Sequence, residues 1–149
     1  MKHKIHIQFF LVLLLGLWML QGQAQALHEV VLTVDPTKPN SAANLSFSAG
    51  STTTIIEKAA GKRFAIRADV GDSVLWKAKA DGESQVPVHV VGVNYKSGPR
   101  IFSSNTLTGK STVKATIIRG GKEDYVYELH YSLGSDTKVY QVTAVIKTK

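Results

Sequence analysis

Three histidines beyond the N-terminal leader, His28, His89 and His130, are the residues best suited to hold a metal ion. Imidazoles joined by a free terminal amine are ligands for Cu(II), Ni(II) or Zn(II). No spacing in the chain forces the three together. His89 stands in the apolar run Val86 to Val93, where it reads as a core or edge residue, and His130 stands on the polar side of an alternating segment. Sulfur ligands are excluded by composition, because there is no Cys and the two Met, Met1 and Met19, both fall in the leader. The same absence removes thiol catalysis and disulfides. Hydrolysis asks for paired carboxylates or a nucleophile, a base and an orienting group. Asp69 and Asp72 are close in sequence, but they flank the Gly71 turn, where Asp72 is expected to accept backbone N–H groups. Ser73 has no His nearby in sequence, and Glu123-Asp124 reads as a solvated pair. Gly120-Gly121-Lys122 lacks the spacing and the following helix of a phosphate loop. No enzyme is expected.

The aromatic residues offer a second kind of chemistry. Tyr95, Tyr125, Tyr127 and Trp76 could line a platform on which sugars or small cyclic ligands stack. The competing expectation is that these rings build the core, with hydroxyls reaching its rim.

The elements that must position these groups read as β throughout. The chain opens with Lys2 and Lys4, an apolar run from Phe9 to Leu20, and Ala24-Gln25-Ala26. That order is a secretory signal, expected to be cut after Ala26, and the run is too short to span a membrane. The expected domains are therefore a signal peptide, 1–26, and one β-sandwich domain, 27–149. Glu29 to Val34 is a β-branched strand ended by two prolines, Pro36 and Pro39. Leu45 to Ser48 and Thr52 to Ile56 are further strands, and Glu57 to Ala60 has the composition of one helical turn. Phe64, Ile66 and Ala68 share one face of a strand, and Val74, Trp76 and Ala78 share one face of the next, with Gly71-Asp72 as the structural turn between them. Val86 to Val93 reads as a strand buried on both faces, and Tyr95 to Pro99 as a loop. Ile101-Phe102 reads as a short strand, followed by an irregular stretch to Thr106. Val113, Ala115 and Ile117 alternate, as do Tyr125, Tyr127, Leu129, Tyr131 and Leu133, and then Tyr140, Val142, Ala144 and Ile146. Short strands with turns every 8 to 12 residues predict an all-β fold, a single Greek-key sandwich of two sheets.

Charge narrows the partners. Of 18 basic residues, Lys2 and Lys4 belong to the leader, leaving a modest excess over 11 acidic ones. The bases are spread one or two per strand, whereas a nucleic-acid binder concentrates them on one element among aromatics. The expected partner is an unidentified protein or small ligand; nucleic acid is not expected, nor a transmembrane anchor after signal cleavage.

The segment FAIRADVGDSVLWKAKA resembles the Val-x-x-Gly-Asp-x-Val-x-Trp strand pair of cupredoxin-like, plastocyanin-like domains. LTGKSTVKATIIRGGKEDYVYELHY is similar to the strand, turn and Tyr-x-Tyr strand that leads into the metal loop of that family. The resemblance covers roughly residues 62–149 and implies a cupredoxin-like sandwich. The family's copper site uses two His, one Cys and usually an axial Met, and Glu128, Leu129 and His130 stand where the thiolate would be. The resemblance therefore implies a relative without the blue-copper ligands and with no cofactor. LHEVVLTVDPTKPNSAANLSFSAG is similar to the start of small periplasmic copper-resistance sandwiches, which implies the alternative of a copper carrier using His28, His89 and His130. The expected role is an exported binding or structural protein of the periplasm or cell exterior, and the resemblance to small periplasmic sandwiches implies a bacterial one.

Overall fold

The computed structural model describes residues 24–59 and 63–148. The expected signal peptide lies outside the described residues as far as residue 23. The described chain forms strands β1 (Leu27–Val34), β2 (Leu45–Ala49), β3 (Thr54–Ala59), β4 (Arg63–Ala68), β5 (Ser73–Ala80), β6 (Val88–Ser97), β7 (Thr106–Thr108), β8 (Val113–Thr116), β9 (Tyr125–Leu133) and β10 (Tyr140–Thr148). One 3-10 turn, Ala42–Asn44, joins β1 to β2.

The strands make two sheets packed face to face, a β-sandwich. One sheet has four strands in the order β2-β1-β5-β8, and the other six in the order β3-β4-β10-β9-β6-β7. Two pairs are parallel. β1 runs beside β5 from Leu27 opposite Ser73 to Val34 opposite Ala80, and β10 runs beside β4 from Val145 opposite Ala65 to Thr148 opposite Ala68. Consecutive strands β4 and β5 stand in different sheets, so the Gly71-Asp72 turn carries the chain across the sandwich.

Period-two alternation sends one set of side chains inward from each sheet. Val30, Leu32 and Val34 of β1 with Val74 and Trp76 of β5 meet Phe64 and Ile66 of β4, Tyr125, Tyr127, Leu129 and Tyr131 of β9, and Ile146 of β10, all buried. The tyrosine strand is the clearest case, since its odd-numbered residues from Tyr125 to Tyr131 are all buried and the intervening ones half exposed.

Five local expectations are corrected. Glu57 to Ala59 is not a helical turn but the end of β3, where pairing with β4 supplies hydrogen bonds that one turn of helix cannot match. Val86 is 39% exposed and precedes the strand, which starts at Val88 and alternates in burial instead of being covered on both faces. Tyr95 to Ser97 continues β6, because β9 pairs with it as far as Ser97 through a register shift after Tyr95. Ile101 and Phe102 are buried, but as a loop that plugs the end of the sandwich; the Ile118 N–H reaches the Ile101 carbonyl at 2.8 Å. The stretch after them is only partly irregular, since Thr106 opens β7.

Candidate functional site

The turn between β4 and β5 is built from its own sequence. Gly71 has φ of +97°, a left-handed conformation that a residue with a Cβ rarely adopts. Its N–H donates to the Ile117 carbonyl at 2.8 Å, and the Ile117 N–H returns to the Asp72 carbonyl at 2.8 Å. This fixes Asp72 with its carboxylate directed at the start of β1. Three donors converge there. The Asp69 N–H reaches Oδ2 at 2.8 Å, the Ala26 N–H reaches Oδ1 at 2.9 Å, and His28 Nε2 lies 2.9 Å from Oδ2. An ionised carboxylate only accepts, so His28 carries its hydrogen on Nε2. Burial alone would raise the Asp72 pKa; the His28 ring and the Asp69 and Ala26 N–H groups outweigh it and hold the carboxyl below its ordinary value. The donors are all internal, so Asp72 acts as a fastener between the turn and the first strand. The expectation of backbone N–H groups at Asp72 is met, and the histidine is an addition that no local spacing announced.

His28 therefore points into the end of the core beside Val30, with its Nδ1 buried and without a hydrogen-bond partner. His89 and His130 belong to β6 and β9 of the other sheet. His130 is part of a small polar group on the outer face. Asn94 Nδ2 donates to its Nε2 at 3.3 Å, Glu128 Oε2 lies 3.8 Å away, and Lys96 Nζ bonds Glu128 Oε1 at 2.7 Å. The Lys96 bond is the main influence holding the Glu128 pKa below its ordinary value, partly opposed by desolvation. His89 lies opposite Ser132, half exposed. The structure does not bring the three histidines together, and among the described residues no three His, Asp or Glu side chains form a metal-ligand group. The physical reason is topological: β1 lies in the four-stranded sheet, and Asp72 already occupies the His28 ring.

The aromatic platform is corrected as well. Trp76 and Tyr127 are both 0% exposed, and the indole Nε1–H donates to the Tyr127 hydroxyl at 3.0 Å. Edge-on contacts join Trp76 to Phe102 at 5.6 Å and Phe102 to Tyr125 at 5.3 Å between ring centroids. A ring enclosed on both faces has none left for a ligand, so these residues are core. Burial, with Tyr95 adding to it, pushes the Tyr125 hydroxyl up to about 12, and that hydroxyl has no hydrogen-bond partner. Tyr95 alone of the four reaches the rim, where its hydroxyl donates to the Gly98 carbonyl at 2.7 Å and Arg100 lies 5.7 Å over its ring.

The Glu123-Asp124 pair is more engaged than a solvated pair. Asp124 takes Arg63 at 2.6 Å and Lys147 at 3.6 Å, tying β4 and β10 to the start of β9. These groups are substantially exposed, and such pairs contribute little to stability.

No protein-family profile and no curated protein matches the sequence. Among solved structures, the inclusion body protein PixA from Burkholderia cenocepacia is similar over 87% of this chain and 99% of its own, with a TM-score of 0.59 and 13% identity. At that identity the likeness is one of fold. The McoA multicopper oxidase from Aquifex aeolicus aligns over 84% of this chain and 30% of its own, with a TM-score of 0.29 and 11% identity, below the level of a shared fold.

Proposed function

We propose that this chain is an exported, non-enzymatic β-sandwich that serves as a binding or structural module and works through a strand edge. One contrast carries the reading. Trp76 and Tyr127 are spent on each other and His28 on Asp72, whereas edge strand β3 leaves Ile55 38% and Ile56 36% exposed. An edge strand offers unpaired N–H and C=O groups to an incoming strand, and apolar side chains beside them add affinity. The partner assigned to β3 is a strand of a second copy. Its Thr54-Ile55-Ile56 start is β-branched, and Glu57 followed by Lys58 supplies charges of both signs for a self-complementary pair. The common fold with a protein described as an inclusion body protein favours a structural, self-associating role.

Export is supported by the leader expected at the N-terminus, and an exported chain would work in the periplasm or outside the cell. The cupredoxin-like reading draws its support from the sequence resemblance around the Gly71-Asp72 turn and Trp76. The lack of any Cys supports a relative without a blue-copper centre. Sedimentation of the wild type and of Ile56→Lys over a range of concentrations tests the reading. The wild type should associate as concentration rises, and the variant should stay monomeric with an unchanged Tm. A wild type that is monomeric throughout refutes self-pairing at this edge.

A further inference from the structure

Two small-x-small triplets overlap at the end of the leader, Gly22-Gln23-Ala24 and Ala24-Gln25-Ala26. Either has the form that a signal peptidase reads. The second cut frees Leu27 and the first frees Gln25. Local sequence does not separate them; the hydrogen bonds of the folded domain favour the mature chain that keeps Ala26.

Ala26 belongs to the folded domain through both of its backbone groups. Its N–H donates to Asp72 Oδ1 at 2.9 Å, and its carbonyl accepts the Ser73 N–H at 2.9 Å. A cut after Ala26 deletes the donor that Asp72 receives and leaves the Ser73 N–H without its acceptor. A cut after Ala24 keeps both, because Ala26 remains an ordinary amide behind Gln25. The parallel pairing of β1 with β5 then starts intact.

We infer that processing falls between Ala24 and Gln25, so that the mature chain begins at Gln25, and that this residue is a modification site. A terminal glutamine closes on itself. The freed α-amine attacks the side-chain amide carbon, the new N–Cδ bond forms, the Cδ–Nε2 bond breaks, and ammonia leaves with the proton released from the amine. The product is a neutral pyroglutamyl end, and the step needs no oxidant, reductant or second substrate. Gln25 is exposed, so nothing in the fold holds its side chain from closing.

The inference rests on the export reading above, and the test separates the two. The full chain, with its own leader, is expressed in a Gram-negative host, and the N-terminus of the recovered protein is read by intact mass and terminal peptide mapping after incubation in buffer. The expected result is a chain that starts at Gln25 and is lighter by one ammonia. A start at Leu27 overturns the assigned cut and leaves export standing. A chain that still starts at Met1 overturns export itself. A Gln25 end that keeps its ammonia after prolonged incubation overturns the ring closure. Gly22→Lys bars the first triplet alone. Its product should either accumulate uncut or start at Leu27 with a lower Tm; a start at Gln25, or a Leu27 form that melts like the wild type, overturns the structural argument.

Discussion

Removing the Asp72 carboxylate is the perturbation that most directly tests how the β4–β5 turn is joined to the start of β1. In Asp72→Ala the Asp69 N–H, the Ala26 N–H and the His28 ring lose their acceptor together. A hydrogen bond to a charged group contributes about 1.5–3 kcal/mol. The three share one carboxylate, and its side chain is only 13% exposed, so water replaces the lost partner incompletely. Non-additivity and that partial solvation bring the expected loss to ~3–4 kcal/mol, a fall in Tm of roughly 10 °C for a domain of this size. Asp72→Asn keeps the shape but offers one acceptor oxygen and turns an N–H2 toward a donor, so it should lose about 2 kcal/mol or more. The pH dependence has a definite sign. The folded carboxyl titrates below its ordinary value of 3.8, so the unfolded chain binds more protons in the acid range between the two. The contribution is complete above the unfolded pKa and is lost as pH falls through the folded one. The wild type should therefore lose stability more steeply than Asp72→Asn as pH drops below about 4. Thermal melts followed by Trp76 fluorescence from neutral to acid pH measure all of this. A Tm for Asp72→Ala equal to the wild type at neutral pH, or parallel acid limbs for wild type and Asp72→Asn, would refute the reasoning.

Two tyrosines one turn of the pleat apart should respond in opposite senses. Tyr127→Phe strands the buried Trp76 Nε1–H and should cost about 1–3 kcal/mol with a shifted indole emission, whereas Tyr125→Phe removes a hydroxyl that has no partner and should leave the Tm unchanged or raised. Equal losses in both variants would contradict the pairing. Gly98→Ala should be among the most damaging substitutions in the protein, because φ there is +93° and a Cβ would fall on the Asp124 carbonyl oxygen; recovery of folded protein with a wild-type Tm would disprove that packing.

The alternating strands were legible because burial in a two-sheet sandwich repeats every second residue. Tyr125 to Leu133 needed no partner to be read, and neither did the faces of Phe64-Ile66 and Val74-Trp76. Errors arose where pairing overruled local composition. Glu57 to Ala59 has helix-forming residues, yet β4 draws it into a ladder. Lys96 and Ser97 precede Gly98-Pro99 and read as loop, yet β9 holds them in β6. The site was less legible than the fold. That Asp72 would bind backbone N–H groups followed from a Gly-Asp turn. Its bond to His28, 44 residues away, follows only from the parallel placement of β1 beside β5, and nothing in either segment marks a parallel neighbour. The same placement separates His28 from His89 and His130, which sequence alone left free to converge.

The position of β10 has a consequence for the order of events in the life of the chain. Residues 140–148 are the last strand in sequence but an interior strand in space, wedged between β4 and β9. Until they arrive, β4 lacks its parallel neighbour and the six-stranded sheet is cut into two pieces. Contacts of such sequence separation slow folding, since the intervening chain must be closed before they form. A chain short of residue 140 thus cannot complete its larger sheet. Were the chain exported as proposed above, a larger sheet that closes only when residues 140–148 arrive would stay open until passage was nearly over.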